Sequence, residues 1–300
     1  MSAVTETLFI VGPPRSGTTL LYKALCLHPD VAYLSNWVRQ FPAVPVLSVL
    51  NRVPPFLPNT RRHAWFGEDS NAYVYGDRRT AVRRVFPTPV EGEPVFTRCG
   101  IGAEAGGRMP GRTPDLGRLR RVFGVVRVTG GGRVLVSKRI AHNLRIPLLA
   151  TAFEKAKFIL LVRDGRAVAQ SLSRVHWWPD SYLWWHQTTP RTWAELGGDP
   201  WTLCGRHWVE ELHAVEDGFA HVPAGQRMEL RYEDLIADPL PTLRRVADYA
   251  GLPVSPVWKQ ELEGLRFANR NNAWRTSMDG SVVARITELQ QPLLSRYGYG

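Results

Sequence analysis

The chain has 300 residues, 44% of them hydrophobic and 22% charged, which excludes global disorder and leaves ample apolar material for a large core. Its formal net charge is +11, and only five of its 38 basic residues are lysine, so 33 are arginine. That excess suits anionic ligands, because a guanidinium stays charged and forks onto phosphate or sulfate. The arginines are dispersed and no nucleic-acid motif accompanies them, so nucleic acid is not an expected partner. Cys26, Cys99 and Cys204 form no C-x-x-C pair; no metal site or disulfide framework is expected, and a reducing compartment fits. No apolar run nears the ~20 residues of a membrane helix, and Val44 to Leu57 is broken by Pro45, Pro54 and Pro55. With strand-like residues from Thr7 onward, the expectation is no leader and a cytoplasmic location. Peripheral contact with a membrane stays open, and the oligomeric state is not legible.

Four strand-like runs, each followed by a helical pattern, predict an alternating α/β plan. Leu8 to Val11 leads through a Gly/Pro loop into a helix from Thr18 to Leu27. Arg133 to Val136 precedes a helix from Asn143 to Phe153. Phe158 to Val162 precedes Arg166 to Arg174, and Arg227 to Arg231 precedes Leu240 to Ala250. Short apolar runs of this kind suit a mostly parallel sheet covered by helices on both faces, a three-layer P-loop-type fold. Ligands then belong at the carboxyl ends of the strands. The expected organisation is one domain over residues 1–300, with variable insertions at about 33–132 and 176–208 on the ligand side. The second insertion holds seven of the 11 tryptophans.

Gly12-Pro-Pro-Arg15-Ser-Gly17-Thr18-Thr19 joins the first strand to its helix with the Gly-x4-Gly spacing of a phosphate loop, whose backbone N–H groups cradle an anion. Thr18 stands where a nucleotidase carries its lysine, and Arg15 lies inside the loop. The loop therefore suits a terminal phosphate with a neighbouring charged group, without the magnesium apparatus. A second anion site is expected at Arg163, at the end of the third strand, with Ser171 eight residues on along the helix. There Arg163 can fork onto a phosphate while the Ser171 hydroxyl donates to another oxygen. Two separated anion sites on one sheet suit a nucleoside with phosphates at both ends.

These residues resemble the sulfotransferases that use 3′-phosphoadenosine 5′-phosphosulfate (PAPS). The stretch Pro14, Arg15, Ser16, Gly17, Thr18, Thr19, Leu20 is similar to the family's 5′-phosphosulfate loop, and Arg163 with Ser171 to its 3′-phosphate motif. Arg231-Tyr232-Glu-Asp-Leu235 resembles a further family block, Ser137-Lys138 the family's lysine position, and Asn272-Ala-Trp274-Arg275 the loop that closes over the nucleotide. The resemblance implies an enzyme that transfers a sulfuryl group to a hydroxyl or amine of a carbohydrate, lipid or small molecule and releases adenosine 3′,5′-bisphosphate. It implies Lys138 and Arg15 at the bridging oxygen, Thr18 and Thr19 at the 5′-phosphate, and Tyr232, Trp274 and Arg275 around the nucleotide.

Arginine in the loop and His28-Pro29-Asp30 after the first helix resemble the branch of tyrosine sulfotransferases and many bacterial enzymes. Those tyrosine enzymes carry a basic glutamate where Asn36 stands here, and an amide cannot take the proton. His142 is the first choice as general base because it closely follows Lys138; Glu68, Asp69 and Glu91 are rivals. Trp177, Trp178, Trp184, Trp185, Trp193, Trp201 and Trp208 make either an acceptor platform or the core of a helical subdomain. The competing functions are an inert module binding adenosine bisphosphate or sulfated glycans, and a P-loop kinase for a small metabolite.

Overall fold

Five strands alternate with helices and lie side by side in the order β2-β3-β1-β4-β5, every neighbouring pair parallel. The computed structural model describes residues 6–66, 84–102, 109, 111–267, 269 and 271–300. The strands are β1 (Thr7–Val11), β2 (Val31–Tyr33), β3 (Val134–Lys138), β4 (Lys157–Val162) and β5 (Arg227–Arg231). Four of them are those predicted. The fifth, β2, is three residues long and pairs with β3, Val31 opposite Val134.

Side-chain alternation along each strand feeds two cores. Phe9 and Val11 of β1, with Phe158, Leu160 and Val162 of β4, face one side. Leu8 and Ile10, with Ile159 and Leu161, face the other. The second core packs under helices α1 (Thr18–Cys26) and, further along the chain, Pro239–Ala250. The first is covered by α2 (Leu116–Gly130), α3 (Gly165–Leu172), α4 (Pro200–Phe219) and a helix near the C-terminus, Gly280–Arg296. This is the three-layer α/β arrangement that the strand runs implied.

The tryptophan-rich segment is mainly framework. Trp208 on α4 is wholly buried and its indole N–H donates to the Arg163 carbonyl, 3.0 Å. Trp178 is buried, Trp193 donates to the Asp199 carbonyl, and Trp185 donates to His207 Nδ1. Of the two readings, packing therefore accounts for most of these rings, and only Trp177, 38% exposed, lines the ligand-side cleft. Cys26, Cys99 and Cys204 are unpaired and buried. No helix among the described residues is long and apolar enough to cross a membrane.

Candidate active site

The loop after β1 owes its path to two glycines. Gly12 has φ +137°, and a Cβ there would lie 2.3 Å from the Leu161 carbonyl oxygen, so only glycine lets the loop pass β4 this closely. Gly17 has φ +88°, and a Cβ there would meet the Tyr232 ring at 2.5 Å. Arg15, between them, is also left-handed at φ 67°, a conformation that a non-glycine residue holds only when its surroundings enforce it. No side chain caps the N-terminus of α1, so its leading N–H groups face the loop as an anion-binding end. The buried Ser16 hydroxyl has no hydrogen-bond partner among the described residues. These features fit a bound phosphate group.

Asn143, which sequence reasoning treated as an ordinary helix start, clamps the loop entrance. Its Oδ1 accepts from the Gly12 N–H at 2.9 Å and its Nδ2 donates to the Gly12 carbonyl at 3.1 Å. Nδ2 also donates to Glu211 Oε2 of α4 at 2.6 Å, while Trp184 Nε1 donates to Oε1 at 3.0 Å. Burial pushes the Glu211 carboxyl up to about 7, with the Asn143 and Trp184 bonds pulling the other way. A helix-period signal for its burial exists: Cys204, Trp208, Leu212 and Val215 mark the inner face of α4, and Glu211 falls on it.

The second predicted anion site sits beside the first. Arg163 at the end of β4 lies over the Tyr232 ring, 4.6 Å from its centroid, and donates through Nη1 to the Arg15 carbonyl at 3.0 Å. Its Nε donates to Asn271 Oδ1 at 3.0 Å, so the C-terminal segment does reach this corner. Ser171 accepts from Arg15 Nε at 2.9 Å, a role not foreseen for it. Trp274 is buried with the Arg166 and Arg275 guanidiniums 4.7 and 4.5 Å from its ring centroid. It anchors this segment, and Arg275 is exposed.

Lys138 ends β3 with a side chain 4% exposed, and its Nζ lies 2.6 Å from Glu91 Oε1. Glu91 Oε2 in turn meets Arg139 Nη1 at 2.8 Å. Burial pushes the Glu91 carboxyl up, but Lys138 and Arg139 outweigh it and hold it below the usual carboxylate range. Pro14, Arg15, Gly17, Thr18, Thr19, Leu20, Lys138, Glu91 and Trp177 all border one cavity of about 400 Å³. Thr19, Glu91, Lys138 and Arg139 also border an adjoining cleft of about 850 Å³.

Asn36 explains how Glu91 arrives there. Its amide donates to the Arg84 and Phe86 carbonyls and accepts from the Thr88 N–H at 3.0 Å. Val90 N–H then bonds the Leu34 carbonyl at 2.9 Å. The amide thus pins the strand-like stretch that delivers Glu91 to Lys138.

His142 is placed differently from its expected role as base. Its ring is 0% exposed, edge-on to Phe9 and Phe96, with Nε2 3.0 Å from Ser137 Oγ. Burial, then the nearby Arg145, Arg139 and Lys138, hold its pKa well below the usual histidine value. The short 3₁₀ turn Ile140–Leu144 directs it under the sheet, out of reach of an acceptor. Glu68 and Asp69 lie outside the described residues, which leaves Glu91 as the carboxylate rival seen at the cavity.

A family model described as the Sulfotransferase family matches residues 7–256. The omega-hydroxy-beta-dihydromenaquinone-9 sulfotransferase Stf3 of Mycobacterium tuberculosis (strain CDC 1551 / Oshkosh) is 26% identical over 170 residues, 56% of this chain and 42% of that protein. Carbohydrate sulfotransferase 2 of Homo sapiens is 33% identical over 91 residues, 25% of this chain and 17% of that protein. The chain thus spans less than half the length of these curated relatives. Among solved structures, sulfotransferase STF9 from Mycobacterium avium aligns with TM-score 0.59 at 16% identity, covering 98% of this chain and 77% of that one. Sulfotransferase STF1 from Mycobacterium tuberculosis H37Rv aligns at TM-score 0.57 and 18% identity, covering 96% and 76%. At such identities the structural likeness speaks for the fold.

Proposed function

Because this chain belongs to the sulfotransferase family, we propose that it moves a sulfuryl group from PAPS to a hydroxyl or amine of a carbohydrate, lipid or small-molecule acceptor by in-line displacement. The observation that carries this reading is the joining of two anion-binding strand ends. Arg163 is bonded to the Arg15 carbonyl and Ser171 to the Arg15 side chain, which sets the two candidate anion sites side by side at one end of the sheet, an arrangement that suits one ligand with two phosphate groups. In this reading, residues Pro14 to Leu20 hold the 5′-phosphosulfate and Arg163 with Ser171 the 3′-phosphate. Tyr232, packed under Gly17 and Arg163, sets the floor, while Trp274 and Arg275 hold the segment that covers the nucleotide.

Transfer makes an acceptor O–S bond and breaks the S–O bond to the 5′-phosphate, with charge growing on the leaving oxygen. Lys138 and Arg15 stabilise that charge, a preorganised electrostatic contribution. Glu91, ionised at neutral pH, takes the acceptor proton. As Lys138 turns from Glu91 toward the leaving oxygen, the carboxylate loses its nearest cation and becomes more basic, which favours proton capture.

The test is a thermal-shift titration with adenosine 3′,5′-bisphosphate, set against ATP with magnesium. At a hundredfold excess over Kd the bisphosphate should raise the melting temperature of the wild type by about 4 °C. Arg163→Ala should lose that rise. A response confined to ATP with magnesium would favour a kinase. Bisphosphate binding with no sulfate loss from PAPS over a wide acceptor panel would favour an inert binding module.

A further inference from the structure

Among the described residues, the adjoining cleft of about 850 Å³ is bordered by five basic side chains, Lys23, Arg39, Arg98, Lys138 and Arg139, and two acidic ones, Glu91 and Glu93. Each carboxylate already faces two cations: Glu91 has Lys138 and Arg139, and Glu93 has Arg139 at 2.6 Å and Arg145 at 2.6 Å. Arg39 and Arg98 are exposed, and among the described residues their guanidinium groups meet no carboxylate and no hydrogen-bond acceptor. Both stand in the last turn of a short helix, Asn36–Gln40 and Glu93–Arg98. The helix ends make a cation comfortable there, but they do not account for two such groups on one cleft with no carboxylate partner among the described residues. The cleft wall also has an apolar part, formed by Pro42, Pro89, Val90 and Pro94.

We propose that the acceptor is itself an anion, carrying a carboxylate or phosphate that Arg39 and Arg98 grip while its hydroxyl lies at Glu91 and Lys138. This rests on the sulfotransferase reading, since it takes the 850 Å³ cleft as the acceptor's place. The physics supports the pairing. An anionic acceptor must approach a highly charged anionic donor, and that repulsion is offset only by cations that the donor does not occupy. Arg39 and Arg98 belong to the cleft and do not border the 400 Å³ cavity at the phosphate loop. A planar guanidinium also binds a carboxylate or phosphate oxygen pair through two parallel bonds.

Two sources share this chemistry, a uronic acid of an acidic carbohydrate and a phosphate headgroup of a lipid, and the experiment separates them. Protein saturated with adenosine 3′,5′-bisphosphate is titrated calorimetrically with two charge-matched pairs. One pair is a glucuronate-terminated disaccharide and its glucose-terminated counterpart; the other is monomeric lysophosphatidate and monoacylglycerol. In at least one pair the anionic member should bind about tenfold or more tightly than the neutral one, as for a charge-assisted contact. The double variant R39A/R98A should bring the two members of that pair within about twofold. R39K/R98K should keep part of the preference, and nucleotide affinity should stay unchanged in both. Equal binding of charged and neutral members in both pairs, no binding by either anion, or a preference that survives R39A/R98A would overturn the proposal. Failure of the bisphosphate to bind at all would instead strike the sulfotransferase reading beneath it.

Discussion

Lys138→Ala should lower kcat for sulfuryl transfer by about two to three orders of magnitude and leave the affinity for adenosine 3′,5′-bisphosphate within a few fold. A preorganised cation aimed at developing charge is worth about 10²–10³ in rate. The product nucleotide lacks the sulfuryl group and so gains little from it. The variant should also fold, because Glu91 keeps Arg139 at 2.8 Å and no carboxylate is stranded. Glu91→Gln should lose roughly 10² in kcat, the lower end for a positioned general base. Its melting temperature distinguishes chemistry from damage: the amide oxygen can still accept from one of the two cations and the side chain is partly exposed, so the other contact can pass to water and only a modest fall is expected. A base must be ionised, so the wild-type kcat/KM, which reports the free enzyme, should decline on the acid side. The opposing cations put that limb below the usual carboxylate range, and the variant should lack it. Near-normal turnover in Lys138→Ala with unchanged donor affinity would dismiss the assignment, and near-normal turnover in Glu91→Gln would send the search for the base elsewhere.

Replacing Glu211 should change how stability depends on pH. Its folded pKa of about 7 stands above the ordinary 4.5, so the unfolded chain releases this proton first as pH rises. Below the unfolded value both states are protonated and the group costs nothing. Between about 4.5 and 7 the folded state loses relative stability, and above 7 the loss is constant, roughly 3 kcal/mol at most. His207 does not mask this limb. Burial holds its pKa down at about 3, and its Nδ1 accepts from Trp185, leaving Nε2–H toward Glu211 Oε1 at 3.7 Å. Glu211→Gln lacks the titration. Its stability relative to wild type should therefore improve as pH climbs from 5 to 8 in denaturant unfolding, whatever its absolute value. A pH-independent difference would mean that Glu211 is ionised throughout. Glu211→Ala should be worse than Gln at every pH, since the buried Asn143 amide and Trp184 indole each lose an acceptor, about 1–3 kcal/mol apiece.

Two of the strands legible in the sequence carry four or more apolar residues in a row, Leu8 to Val11 and Phe158 to Val162, while Val134 to Val136 has three and Arg227 to Arg231 has isolated apolar positions only. Three-residue β2 was not read as a strand although Val31 to Leu34 is apolar, because so short a run has no helical pattern after it; its place in the sheet comes from pairing with β3. Helix α4 begins inside the tryptophan-rich stretch and was not read there, although Asp199-Pro200 marks its start and the Asp199 side chain accepts from Thr202 N–H. At the site, backbone-determined features were readable: the Gly12 and Gly17 turn, and Arg163 at a strand end. Side-chain direction was not. His142 and Lys138 are four residues apart, yet one 3₁₀ turn sends the histidine into the core while the lysine points to the cavity. Glu91 is 47 residues from Lys138, and no local pattern pairs them. Asn36 was legible as a missing carboxylate, and the hydrogen bonds that bring a replacement from a distant segment were not.

Arg15 and Ser171 share one hydrogen bond across 156 positions of sequence. Cutting it from the loop side or from the helix side removes the same contact. The stability losses of Arg15→Ala and Ser171→Ala should therefore fall short of additivity in the double variant, by about 0.5 kcal/mol or more in a thermodynamic cycle. Full additivity would mean that the bond contributes nothing. Arg163, bonded to the Arg15 carbonyl, belongs to the same circuit. The two ends of the cleft then form one energetic unit, and a substitution tolerated at one position depends on which residue occupies the other.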